Sequence, residues 1–131
     1  MYVLDTNTLI YFFKGMGNIS IHLFDAAPKD IGIPAVVIYE LEVGIAKSSS
    51  PGKRRLQLKQ FTSTVNILPF GLNEAKASAN LRANLEKKGT PIVPHDVLIA
   101  GTAMANAGTL VTHNTQEFSR VKGLKLEDWY S

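Results

Sequence analysis

Cysteine is absent from the 131-residue sequence, so neither a disulfide framework nor a thiolate metal site can form. No apolar run approaches the roughly 20 residues that a membrane span requires. The first residues lack the basic start of a secretory signal peptide and carry a carboxylate, Asp5. The sequence also has no glycine-rich phosphate loop, no nucleophile elbow and no His-Glu-x-x-His zinc motif. We therefore expect a cytoplasmic protein without a membrane span, and several enzyme classes are excluded.

Charge is only mildly unbalanced, with 14 basic and 11 acidic residues, a formal net charge of +3 and a pI of about 9.2. This excess permits a polyanionic partner without requiring one. Lys53, Arg54 and Arg55 begin a predicted helix, where they form either a solvated face or a surface that meets nucleic-acid phosphates. Arg82, on a later predicted helix, either extends from the edge of the core or reaches an anionic site.

Short apolar runs alternate with longer segments of helical periodicity along the chain. Its length and its 45% hydrophobic residues suit one domain over residues 1–131. Thr6 or Asn7 is expected to cap the first helix and Asn73 the fifth. The predicted strands are 2–4, 31–33, 65–68, 108–112 and 124–126, and the predicted helices are 8–13, 19–27, 35–47, 53–63, 73–88, 95–107 and 116–119. This alternation predicts an α/β fold with a mostly parallel central sheet and helices on both faces.

Carboxylates occur at three places that this architecture can bring together. Asp5 directly follows the first strand, where it is either part of a site or a helix cap. Glu40 and Glu42 lie in the third predicted helix, both among apolar neighbours, and periodicity does not choose between them. Asp96 opens the sixth helix, where the helix dipole alone would favour it. Its neighbour His95 is expected to be a turn residue rather than a ligand.

A carboxylate cluster without cysteine suits a hard cation that prefers oxygen ligands, Mg²⁺ or Mn²⁺. The chemistry expected of such a site is phosphodiester hydrolysis, because the ion activates a water and neutralises charge in the transition state.

Four motifs in this order resemble the PIN-domain ribonucleases of the VapC toxin type. They cover almost the whole chain: Leu4-Asp-Thr-Asn7, Ile38-Tyr-Glu-Leu41 with Gly44, Pro91-Ile-Val-Pro-His-Asp96 with Leu98-Ile-Ala100, and Thr109-Leu-Val-Thr-His-Asn-Thr-Gln-Glu-Phe118. The resemblance implies a single PIN-like domain. It also implies that Asp5, Glu40 and Asp96 bind the metal, which selects Glu40 over Glu42.

The family's fourth acid falls at Asn114 in this sequence, which is a departure from its pattern. An amide oxygen can coordinate but contributes no charge, and nearby Glu117 is a candidate substitute. Asn7 and Thr112 are expected to orient the acids.

The resemblance further implies a metal-dependent endoribonuclease, the toxin of a toxin–antitoxin pair, that forms a homodimer and cleaves RNA, with structured RNA such as tRNA among the candidates. A VapB-like antitoxin is expected to insert an arginine into the acidic site. Its apolar contacts are expected on the first helices, at Leu9, Tyr11, Phe12 and Phe13, although these side chains also suit a core or a dimer interface. The alternative function is a catalytically silent PIN-like module that acts through its protein partner.

Overall fold

A computed structural model describes all 131 residues as an α/β fold around one five-stranded parallel sheet. The strands are β1 (Tyr2–Leu4), β2 (Ile31–Pro34), β3 (Asn66–Leu68), β4 (Thr109–Val111) and β5 (Lys125–Glu127). Their order is β3-β2-β1-β4-β5. The predicted α/β class is therefore confirmed, and the sheet is parallel throughout.

Seven helices connect the strands. They are α1 (Thr6–Phe13), α2 (Ile19–Asp25), α3 (Ala35–Ala46), α4 (Pro51–Thr62), α5 (Leu72–Lys87), α6 (Pro94–Ala105) and α7 (Thr115–Phe118), with a 3-10 turn at Pro28–Asp30. The first two connections run from β1 outward to β3, and the third returns across the sheet to β4. Because parallel crossovers are right-handed, α5 and α6 lie on the face opposite to the helices of the first two connections.

The strand order reverses between β1 and β4, in the most deeply buried part of the sheet. Val3 and Leu4 of β1 pair with Leu110 and Val111 of β4, and all four are fully buried. In an open α/β sheet, ligands bind beyond the carboxyl ends of the strands at such a reversal. This geometry places Asp5 and Thr112, the residues that follow β1 and β4, at the expected binding position.

Three local predictions are wrong. Asn73 does not cap α5, because the helix begins one residue earlier and the Gly71 N–H donates to the Glu74 carboxylate at 2.9 Å. Neither Thr6 nor Asn7 caps α1, since Asp5 does so through a 2.9 Å bond from the Thr8 N–H. His95 is not a turn residue, because proline at the first position lets α6 begin at Pro94. Residues 90–93 form a linker with no strand.

No helix combines the length and the apolar character needed to cross a membrane.

Helices α5 and α6 pack so closely that a side chain at Gly101 has no room. A Cβ there would lie 1.9 Å from the Ser78 hydroxyl oxygen and 2.8 Å from the Ser78 Cα. Gly44, in the interior of α3, has no atom within 4 Å of the corresponding position. The two helical glycines therefore form a matched pair for mutagenesis.

We expect Gly101→Ala to lower the free energy of unfolding by about 1–3 kcal/mol, since overpacking must separate two helix backbones. Gly44→Ala should instead raise it by about 0.5–1 kcal/mol, because alanine is the better helix former. Urea denaturation measures both changes. Equal effects from the two substitutions would contradict the close packing of α5 on α6.

Candidate active site

Asp5 serves both as a helix cap and as a buried acid at the end of β1. Its backbone N–H donates to the Val111 carbonyl at 3.2 Å, and its Oδ1 accepts the Thr8 N–H. Only 5% of the residue is exposed. Burial raises the pKa of Asp5 and the nearby Glu40 charge adds to this, while hydrogen bonds from Thr112 and Thr8 act in the opposite direction. The two interpretations of Asp5 from the sequence are therefore compatible.

Glu40 and Glu42 occupy different faces of α3. Glu40 is half-buried, accepts a 2.6 Å hydrogen bond from the Thr6 hydroxyl, and contacts His95 Nδ1 at 3.2 Å. Glu42 is exposed and pairs with Arg55 at 3.5 Å. Only Glu40 therefore faces Asp5 and the start of α6.

Asp96 lies in the first turn of α6, close enough to three other acids to interact with their charges. Burial raises its pKa to about 7, with further contributions from the charges of Glu117, Asp5 and Glu40 and from a hydrogen bond with Glu117. We call Asp5, Glu40, Asp96 and Glu117 the acid cluster. No lysine or arginine forms a salt bridge with any of them, and His95 is the one basic partner.

Glu117 is held beside Asp96 by two neighbours. One carboxylate oxygen accepts the Val93 N–H at 3.2 Å, and the other accepts the side-chain amide of Asn114. The Asn114 N–H in turn donates to the Thr112 hydroxyl at 3.0 Å. The amide at the position of the expected fourth acid thus binds the carboxylate that lies next to Asp96.

The donor set of the acid cluster fits a hard divalent cation, since it consists of carboxylate oxygens whose charge no lysine or arginine balances. The acids do not form a preassembled cage, because no three acid or histidine side chains converge at ligand distance. Glu40 and Glu117 are hydrogen-bonded to Thr6 and Asn114 instead. Binding an ion would therefore require the acids to approach one another. The hydrogen bonds from Thr6 and Asn114 can persist, because a carboxylate that accepts a hydrogen bond can also bind a metal.

Other residues singled out from the sequence lie in different surroundings. Asn7 is exposed and its side chain makes no hydrogen bond. Arg82 is exposed and bonded to Glu86, and Arg55 pairs with Glu42, so neither makes an ionic contact with the acid cluster. Lys53 is exposed on α4. Among these basic residues, Arg54 shares with Glu40 a cleft of about 250 Å³ between α1, α3 and α4.

Two residues that contact Glu40 were not predicted to do so, Thr6 and His95. Each directly adjoins a predicted acid in the sequence, Thr6 after Asp5 and His95 before Asp96. Their position next to a predicted acid was the one sequence feature that could have identified them. That feature does not reveal which side chains turn towards Glu40.

The C-terminal segment holds the loop that follows β4. His113 Nδ1 contacts Asp128 Oδ2 at 3.0 Å, and its ring stacks on Tyr130 with centroids 4.3 Å apart. Burial opposes ionisation of Asp128, but hydrogen bonds from His113 and the Tyr130 N–H outweigh it and lower the Asp128 pKa. The Thr112 N–H donates to the Glu127 carbonyl at 2.9 Å. These contacts fix Thr112, which binds Asp5.

Comparison with known proteins places this architecture in a family. Residues 2–124 match the sequence profile of the PIN domain. The chain therefore belongs to the PIN-domain family.

Its relatives within the family are VapC ribonucleases. It is 33% identical over 128 residues to the tRNA(fMet)-specific endonuclease VapC of Salmonella typhimurium, a match that covers 98% of this chain and 97% of that protein. It is 34% identical over 131 residues to ribonuclease VapC2 of Rickettsia felis, covering 98% of each.

Two solved structures share its fold closely. VapBC2 from Rickettsia felis, bound to a DNA fragment from its promoter, superposes with a TM-score of 0.91 at 35% identity and 98% coverage of each chain. DNA-bound VapBC from Salmonella typhimurium also gives 0.91, at 33% identity, covering 98% of this chain and 97% of that one. The predicted resemblance to VapC-type PIN domains is confirmed.

The raised pKa of Asp96 predicts a pH-dependent stability of the protein in EDTA. An acid whose folded pKa exceeds its unfolded value contributes its stability at low pH. That contribution is lost as pH rises from about 3.8 through about 7. Asp96→Asn removes the titration. We expect it to be more stable than the parent chain above pH 7 by about 1–2 kcal/mol, allowing for solvent screening of a partly exposed group.

Urea unfolding between pH 4.5 and 8 tests this expectation, with Asp25→Asn on the exposed end of α2 as the control. The difference between parent and Asp96→Asn should grow with pH and level off. A difference that does not depend on pH would show that neither burial nor the neighbouring acids raise the pKa of Asp96.

Proposed function

We propose that this chain is the toxin of a VapBC-type toxin–antitoxin pair and hydrolyses RNA phosphodiester bonds with Mg²⁺ or Mn²⁺ as cofactor. The observation that carries this is the acid cluster at the strand-order reversal, combined with the VapC ribonucleases to which the chain is similar. One of these relatives is named as a tRNA(fMet)-specific endonuclease, which supports a structured RNA such as tRNA as substrate.

In this proposal Asp5, Glu40 and Asp96 hold the cation and Glu117 takes the fourth position, in place of an acid at Asn114. When bound, the cation lowers the pKa of an attacking water and neutralises charge on the phosphate. Thr112 and Thr6 orient Asp5 and Glu40 through hydrogen bonds, and Asn114 orients Glu117.

Basic residues around the acid cluster supply the attraction for RNA. Lys14 and Arg54 share the cleft that contains Glu40. Four of the 11 acidic residues belong to the cluster, so the rest of the chain carries 14 basic residues against seven acidic ones. Phosphate contacts by lysine and arginine provide sequence-independent affinity that weakens as salt rises.

Asp5→Asn, Glu40→Gln and Asp96→Asn should each reduce RNA cleavage by roughly 100-fold or more, because even outer-sphere changes at metal sites cost about 10–100-fold. The fold should persist, since each change removes charge repulsion. Glu117→Gln should give a smaller loss. Glu42→Gln is the control and should retain activity, because Glu42 is exposed and paired with Arg55.

Cleavage assays on antitoxin-free protein, with Mn²⁺ binding followed by calorimetry, provide the measurement. Equal losses from Glu40→Gln and Glu42→Gln would refute the assignment of the α3 face. Absence of cleavage with any divalent cation, despite intact antitoxin binding, would favour the silent binding module instead.

The antitoxin site in this proposal is the cleft between α1, α3 and α4. Its lining includes Ile10, Phe13, Leu41 and Gly44, together with Glu40 of the acid cluster. Of the side chains predicted to form an apolar groove, only Phe13 lines this cleft. The remaining three pack elsewhere: Leu9 is in the core, Tyr11 packs on Tyr130, and Phe12 packs on Phe61. A VapB-like peptide lying in the cleft would bring an arginine to Glu40.

Gly44→Phe should fill the cleft and weaken antitoxin binding by at least about tenfold, as expected for blocking an apolar pocket at an interface. The fold should tolerate the change, because nothing lies within 4 Å of a Cβ at Gly44. Gly52→Phe, at a position of α4 with equally open space, is the matched control. Calorimetric titration with the cognate antitoxin measures both. Unchanged affinity in Gly44→Phe would place the antitoxin elsewhere.

The proposal includes a homodimer. Its support is the apolar surface left exposed around the edge strand β3, where Leu56 is 56% exposed and Ile67 44% exposed. Light scattering on the free chain distinguishes a dimer from a monomer of 14.3 kDa.

A further inference from the structure

Tyr39 is an aromatic side chain that the fold does not use. It precedes Glu40 on α3, is 60% exposed, and takes no part in the hydrophobic core or in the side chains packed against it. Its hydroxyl group makes no hydrogen bond within the chain. Burial of this ring therefore contributes little to stability, and its position next to Glu40 needs another explanation.

The ring of Tyr39 has one aromatic neighbour, His95, which also contacts Glu40 of the acid cluster. Its centroid lies 6.1 Å from that of His95, with the planes inclined at 73°. The imidazole is held by the 3.2 Å contact between His95 Nδ1 and Glu40 Oε2, and about half of the His95 side chain is exposed. Tyr39 remains 60% exposed in this edge-to-face arrangement, so much of its ring is open to solvent. The two rings thus form an exposed aromatic surface joined directly to a proposed metal ligand.

We propose that Tyr39 and His95 form a stacking platform for an unpaired base next to the scissile phosphate. The inference rests on the proposed ribonuclease function. Aromatic side chains recognise splayed bases of single-stranded RNA by stacking, whereas bases inside a duplex are already stacked on one another. A phosphate at the acid cluster places its flanking nucleotides within reach of a platform that touches Glu40.

Charge supports RNA as the occupant. Lys14 and Arg54 share a cleft with Glu40, whereas Tyr39 does not line that cleft. Cationic contacts for the backbone and an aromatic contact for a base therefore lie in different places around one carboxylate. A single strand presents both features together, since its phosphates and bases point in different directions.

The test compares Tyr39→Leu, which keeps apolar bulk without a ring, with Tyr39→Trp, which keeps a stacking surface. Phe24→Leu is the control, because Phe24 is 80% exposed on α2, near the amino end of β2 and away from the strand-order reversal. The probe is a single-stranded RNA oligonucleotide carrying 2-aminopurine, whose fluorescence reports stacking, and the duplex of the same sequence is measured beside it. Binding is measured in EDTA, and steady-state cleavage is measured with Mg²⁺ or Mn²⁺.

We expect Tyr39→Leu to weaken single-strand binding roughly tenfold, within the range for loss of one stacked base. It should raise KM by a similar factor with little change in kcat and should abolish the fluorescence quenching. Duplex binding should not change, and Tyr39→Trp and Phe24→Leu should match the parent chain.

Unchanged single-strand affinity in Tyr39→Leu would overturn the inference, even if the protein cleaves RNA. A fall in kcat at constant affinity would also overturn it, because Tyr39 would then act by positioning Glu40. Loss of antitoxin binding with RNA binding intact would identify a protein contact instead. Failure of the ribonuclease proposal is separately visible, as absence of metal-dependent cleavage by the parent chain.

Discussion

The structure depends on keeping one carboxylate, Asp5, buried where the strand order reverses. A buried acid is costly unless hydrogen bonds satisfy it, and here the Thr8 N–H and the Thr112 hydroxyl do so. The same contacts start α1 and tie the end of β4 to the end of β1. Secondary structure and the proposed site therefore share their hydrogen bonds. A side chain at position 5 that cannot accept the Thr8 N–H would disturb the junction of sheet and helix as well as the site.

Repulsion within the acid cluster is the second constraint. Four carboxylates interact while no lysine or arginine neutralises them, and one result is the pKa of Asp96 at about 7. The fold tolerates this because hydroxyl, amide and imidazole groups bind the outer acids. The negative charge of the acid cluster nevertheless remains without a lysine or arginine partner. Either a divalent metal or an arginine from a partner protein can balance it. This gives a physical reason why the proposed catalysis and its inhibition would compete for one place.

The contacts of Glu117 and Asn114 show how the site obtains a fourth carboxylate although position 114 is an asparagine. Position 114 alone suggests a site with one charge too few. In the fold, the Asn114 amide donates to Glu117, and Glu117 hydrogen-bonds with Asp96, so a carboxylate is present from the next helical turn. Only a short loop separates β4 from α7. A carboxylate on α7, such as Glu117, can therefore reach the region where the family's fourth acid would lie at position 114.

The sequence by itself determined the α/β class, the existence of nearly every strand and helix, and the positions of Asp5 and Asp96 at element ends. Apolar periodicity and strand ends are local properties that a chain displays directly. Helix boundaries at Gly71 and Pro94 were missed by a residue or two, because capping depends on which local donor finds an acceptor. Only the tertiary structure decided that Glu40 faces Thr6 and His95 while Glu42 faces Arg55. It also decided that Phe13 lines the cleft, whereas the other apolar candidates on α1 do not. Those choices depend on the rotation of α1 and α3 against their neighbours. That rotation is fixed by packing between segments more than 30 residues apart, such as Thr6 and Glu40.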